Sequence, residues 1–207
     1  MMKNDAPQND TLQGSESGKF VTVIAGTVIL GVLGLGLSWL LKTEISSYLF
    51  WRWSDVLIGV AGTAPLALFL YWFVSTSNPT LAAFRESQIE FFANIGFEFT
   101  SLRIILMALA AGICEELLFR GFLQVLIERY STPAIAILAT SIIFGLMHWR
   151  TAIYAVIAGG ISIYLGVMFW FTGNLLAPII THAFYDWIAF VYTNRAITEL
   201  RAKKAAS

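Results

Sequence analysis

Ile104-Ile-Leu-Met-Ala-Leu-Ala-Ala-Gly-Ile-Cys-Glu115-Glu116-Leu-Leu-Phe-Arg120 is a membrane-spanning pattern interrupted by three charges. Each ionisable side chain near the centre of a bilayer costs roughly 2.5–3.5 kcal/mol on insertion scales, so charges this close together need partners or a shared wet cavity. The stretch therefore marks a buried polar site in a membrane protein.

The rest of the chain fits that setting. Of its 207 residues, 57% are hydrophobic and the mean hydropathy is +0.73, against roughly 45–50% apolar residues in soluble domains. Mostly apolar runs at 20–41, 55–74, 102–128, 133–149, 151–171 and 175–193 are each near the length of about 20 residues that crosses a hydrocarbon core as a helix. The expected fold is an all-α, multi-pass integral membrane bundle of about six transmembrane helices. The third run is long enough to overshoot the bilayer or to tilt. A net charge of zero, with no basic cluster beyond the C-terminal tail, excludes a nucleic-acid footprint. The single cysteine, Cys114, rules out an internal disulfide and a cysteine-based zinc site.

The chain divides into a disordered polar tail (1–18) that lacks the make-up of a signal peptide, two spans plus an amphipathic segment (19–100), a helical core (101–194) and a basic tail (195–207). Between the second and third spans, Leu81, Phe84, Phe91, Phe92, Ile95 and Phe99 mix helical spacing with Arg85, Glu86, Glu90 and Glu98. That pattern suits a helix lying among the headgroups before the third span, and equally a connecting helix packed on the bundle. Ser131-Thr132-Pro133 reads as a helix start and Thr172-Gly173-Asn174 as a stop. Such tight loops make the last four spans antiparallel neighbours. Lys3, Lys19, Arg85, Arg103, Arg150, Arg195, Arg201, Lys203 and Lys204 collect on the side of the N-terminus, against Lys42, Arg52 and Arg129 opposite and Arg120 within the membrane. The positive-inside rule therefore favours cytoplasmic termini.

Glu116 and Arg120 are four apart with the acid first, an arrangement that pairs within a helix and serves either as a structural ion pair or as support for a site. Glu115 lies about 100° around the helix, on a stripe with Ala108, Ala111 and Gly112 that leaves room beside it. The only two histidines occur in Phe144-Gly-Leu-Met-His148 and His182-Ala-Phe-Tyr-Asp186, each within an apolar run. Taken alone, His148 also reads as a hydrogen-bonded core residue. Asp186 is placed to orient His182 or to border the same cavity. Counted from the turn at Ser131, Glu116 and His148 both lie about 24 Å along their helices, whereas His182 and Asp186 lie only about 14–20 Å beyond Gly173.

Glu115-Glu116-x-x-x-Arg120, Phe144-x-x-x-His148 and His182-x-x-x-Asp186, in this order on successive apolar segments, resemble the CPBP family. That group of intramembrane endopeptidases contains the CAAX prenyl proteases and the bacteriocin-processing or self-immunity (Abi) proteins. The resemblance implies a water-filled chamber in which Glu115 acts as general base and His148 helps hold the water. It places His182 and Asp186 on the oxyanion side, with Glu116, Arg120 and Phe144 supporting. It implies no metal and no cofactor, and a membrane-embedded or lipid-anchored protein as substrate. Where the CAAX proteases have Asn, this chain has Asp186, whose ionised form repels an oxyanion. Two further readings stand beside the protease: a zinc-dependent membrane protease using the Glu, His and Asp side chains as ligands, and a non-catalytic scaffold that binds a membrane protein complex.

Overall fold

The computed structural model describes residues 8–206, which form an all-helical bundle. The elements are α1 (Gln8–Leu41), a 3-10 turn (Ile45–Tyr48), α2 (Trp53–Ser75), α3 (Pro79–Ala93), α4 (Ser101–Glu116), a π-helical coil (Leu117–Gln124), α5 (Val125–Glu128), α6 (Pro133–Met147), α7 (Ala152–Thr172) and α8 (Leu176–Ala206). The π coil joins α4 to α5 without leaving helical backbone, so 101–128 is one rod. The ends follow the local chemistry. Thr132 caps α6 by accepting from Ile135 N at 3.3 Å, with Pro133 in the first turn, and Thr151 caps α7 through Tyr154 N at 3.2 Å. Gly173 ends α7 at φ 61°, a left-handed conformation that suits glycine.

Ser15–Leu41, Trp53–Ser75 and Ala152–Thr172 are long and apolar enough to cross a membrane. Of the remaining runs, α6 is apolar but its 15 residues reach only about 22 Å. The 101–128 rod and α8 carry the ionisable groups that lower their hydropathy. Large apolar side chains such as Trp39, Leu57, Val156 and Phe171 face outward, the surface expected of a bundle dissolved in lipid. The protein is an integral membrane protein.

Two stretches read as tails are helical. The polar N-terminal stretch is already helix from Gln8, while residues 1–7 lie outside the described residues. The apolar span nucleates this helix, and propagation then adds one hydrogen bond per residue even where side chains are polar. At the other end α8 continues to Ala206, with Lys203 and Lys204 in its last turn, where cations suit the helix dipole. Helix α3 packs on the bundle. Phe84 is buried edge-on to Phe73 at 5.8 Å, and Arg85 Nη1 donates to Phe73 O at 3.0 Å at the end of α2. Glu86 and Glu90 stay exposed.

Two apolar clusters bracket the middle of the bundle. One gathers Ile45, Leu117, Phe122, Phe169 and Leu175, the other Phe97, Phe99, Ile104, Met107 and Ile197. Close approach of α4 and α8 depends on Gly112, where a Cβ would sit 2.7 Å from Ala183 N. The charged residues at the end of α4 lie between these clusters.

Candidate active site

Glu115 and Glu116 close α4 and face different surroundings. Glu116 is fully buried, and its Oε1 accepts from Arg120 Nη1 at 2.9 Å and from His182 Nδ1 at 2.8 Å. Arg120 Nη2 donates to Ser162 O at 2.6 Å and to Ser162 Oγ at 2.8 Å, and its guanidinium lies 5.4 Å from the Phe144 ring. One buried carboxylate thus ties α4 to α8, and its arginine ties the π coil to α7. π-helical segments are rare and concentrate at functional sites; here the segment carries Arg120.

Glu115 points the other way, into a cavity of about 330 Å³ whose lining includes Phe144, His148, Tyr154, His182, Tyr185 and Asp186. Its Oε2 lies 3.9 Å from His182 Nε2, and Asp186 Oδ2 lies 3.6 Å from the same nitrogen. Both separations exceed a hydrogen bond but leave the groups within electrostatic reach. Most of the other wall is apolar, including Phe69 and Phe73 of α2, Phe84 and Phe92 of α3, and Ile157 and Ile161 of α7. Of the two readings of Asp186, it borders the same cavity as His182 but does not hold that ring at bonding distance. Glu116 does, because its oxygen reaches Nδ1 at bonding distance.

His148 caps the C-terminus of α6 rather than lying within a helix, since the chain turns at once into α7. Its Nδ1 is 2.8 Å from Phe144 O; a carbonyl only accepts, so Nδ1 carries the proton and Nε2 keeps a lone pair. The ring stacks on Phe144 at 4.4 Å, while Tyr154 stands edge-on to it at 5.7 Å. Among the described residues no three His, Cys, Asp or Glu side chains are grouped so as to hold a metal ion.

Residues 97–188 match the family described as type II CAAX prenyl endopeptidase Rce1-like. The matched segment is similar to that family and makes up less than half of the chain. The uncharacterised protein YpbD of Bacillus subtilis (strain 168) is 34% identical over 86 residues, a match covering 40% of this chain and 41% of that protein. The chain thus spans about two fifths of the length of the curated relative it matches. No solved structure matches. The matched segment holds Glu115, His148, His182 and Asp186, whereas α1, α2 and α3 lie outside the match and still line the cavity.

The shallow depth expected for His182 has a physical explanation. The α7–α8 turn is buried on its C-terminal side: Gly173 is exposed, but Asn174 and Leu175 are fully buried, and Leu175 N donates to Tyr48 O at 2.7 Å. Asn174 Nδ2 donates to Phe50 O at 2.8 Å and to Asp55 Oδ2 at 2.7 Å, while Arg52 holds both oxygens of Asp55. The loop between α1 and α2 covers the turn and starts α8 deeper, bringing His182 level with Glu116. Ser162, Tyr154 and the Asp55–Asn174 contact were not singled out from the sequence. Only Asp55, a lone acid in an apolar run three residues after Arg52, left a readable signal.

Proposed function

We propose that this chain is an intramembrane glutamic endopeptidase that hydrolyses a peptide bond of a membrane-embedded or lipid-anchored protein. The observation that carries the reading is a single apolar-walled cavity lined by Glu115 from α4, His148 from the C-terminal cap of α6, and His182 and Asp186 from α8. The similarity of residues 97–188 to the family described as type II CAAX prenyl endopeptidase Rce1-like supports it. Glu115 takes a proton from water as its oxygen attacks the scissile carbonyl. His148 Nε2, left as an acceptor, holds the second water hydrogen. His182 and Asp186 line the side on which the carbonyl oxygen becomes negative, and the proton on Glu115 passes to the leaving nitrogen as the C–N bond breaks. Glu116 and Arg120 are positioning residues that act through His182, and Phe144 fixes His148. In this reading the rod at 101–128, α6 and α8 complete six spans with both termini in the cytoplasm.

The test is Glu115→Gln in the full chain in mild detergent, assayed on a farnesylated fluorogenic peptide. Cleavage by the wild type and its loss in a variant with an unchanged unfolding midpoint supports the reading. Equal cleavage by both rules it out. Stoichiometric zinc, with chelator-sensitive activity restored by zinc, transfers the chemistry to a metal. Absence of cleavage together with stable co-purification of a membrane complex, unaffected by the substitution, supports a scaffold.

A further inference from the structure

The oxyanion side of the cavity has an imbalance. Glu115 and Asp186 bring carboxylates, and an ionised carboxylate only accepts hydrogen bonds. His182 commits Nδ1 to Glu116, so Nε2, flanked by Glu115 and Asp186, is the one nitrogen it can turn to the oxyanion, and His148 commits Nδ1 to Phe144 O. A tetrahedral intermediate gains most from neutral or cationic donors aimed at its negative oxygen. Asp186, standing where the CAAX proteases have Asn, supplies none in its ionised form.

Tyr154 has what is missing. Buried phenols usually find a partner, as Tyr164 does by donating to Gly62 O at 2.9 Å. The Tyr154 hydroxyl has no protein partner among the described residues, and the side chain lines the catalytic cavity. Its electrostatic neighbours are Asp186, Glu115 and Arg150, so the hydroxyl lies in the field of the two carboxylates that face His182 Nε2. The backbone is fixed in the first turn of α7 by the Thr151 cap. The ring is held between His148 at 5.7 Å and Phe84 at 6.4 Å. Of the other two cavity phenols, Tyr185 has Asp186 and Tyr154 but not Glu115 as electrostatic neighbours, and Tyr192 has Arg85 and Glu199.

We infer that Tyr154 is a further catalytic residue, whose hydroxyl donates to the oxyanion in place of the Asn donor that Asp186 replaces. The inference rests on the protease reading and deepens it. As water adds, the carbonyl π electrons move to oxygen, which accepts a hydrogen bond from the Tyr154 O–H; the phenol keeps its proton throughout. The oxyanion then reforms the carbonyl, the C–N bond breaks, and Glu115 protonates the leaving nitrogen.

The experiment compares wild type, Tyr154→Phe, Tyr185→Phe and Glu115→Gln on the farnesylated fluorogenic peptide, with unfolding midpoints alongside. Tyr154→Phe keeps both ring contacts, and kcat is expected to fall by about 10²-fold, as for loss of one oxyanion donor, with KM unchanged. Adding Asp186→Asn to that variant restores part of the rate by supplying an amide donor. A second measurement needs no turnover. A farnesylated peptide with a phosphonate in place of the scissile amide binds wild type more tightly than its amide counterpart, and Tyr154→Phe abolishes that preference. Full activity and an intact phosphonate preference in Tyr154→Phe, or the loss falling on Tyr185→Phe instead, overturns the assignment while Glu115→Gln still reports on the protease reading. A wild type that neither cleaves the amide nor prefers the phosphonate overturns both.

Discussion

Replacing Arg120 by Met isolates the energetics of the buried pair. The Arg120 and Glu116 side chains are 1% and 0% exposed, so neither charge is screened by solvent. Removing the guanidinium leaves the Glu116 carboxylate with His182 as its one hydrogen-bond partner and leaves Ser162 O and Oγ without the donor they had. Breaking a buried pair from one side costs about 3–5 kcal/mol, because a charge stays behind uncompensated. Removing both charges is different. Among the described residues Glu116 Oε2 and Arg120 Nε have no protein hydrogen-bond partner, so protein contacts offset the desolvation cost only in part. In the double variant Glu116→Gln with Arg120→Met, the Gln carbonyl still accepts from His182. It is expected to cost less than the sum of the singles by at least about 2 kcal/mol, a coupling within the range for residues in one network. The assay is equilibrium denaturation in mild detergent across the four-protein cycle. Costs that simply add would refute the claim that Glu116 and Arg120 stabilise the bundle chiefly by neutralising each other.

Gly112→Ala places a methyl 2.7 Å from Ala183 N and 2.9 Å from Ala183 Cα, so α4 and α8 must separate; a cost of about 1–3 kcal/mol is expected, with kcat falling as His182 moves from Glu116, and wild-type stability and rate would show that the contact is not limiting. Asp55→Ala leaves the buried Asn174 amide with one acceptor and Arg52 with Thr172 O as its remaining one. It should lower stability by about 1–3 kcal/mol and, by releasing the start of α8, lower activity on the farnesylated peptide more than Arg52→Ala does; the two variants losing activity equally would contradict the depth argument.

The membrane setting and the ionisable residues inside it are legible in the chain alone. Long apolar runs dictate helices in lipid because a bilayer core offers backbone groups no other partners, and charges at 115, 116 and 120 inside such a run announce a buried site. Four-residue spacings identified Glu116 with Arg120 and His182 with Asp186, since neighbours on a helix face are set by its 3.6-residue period. Period says nothing about what faces a side chain from another helix. Only the tertiary structure decided that His182 bonds Glu116 rather than Asp186, that Ser162 receives Arg120, and that Tyr154 enters the cavity. It also decided the depth of α8. Residue counting assumes that turns lie at the surface, and the Tyr48–Leu175 and Asp55–Asn174 contacts draw this turn inward. Contacts between residues more than a hundred positions apart leave no periodic trace in a chain, because they depend on how whole helices pack and not on the order of residues along any one of them.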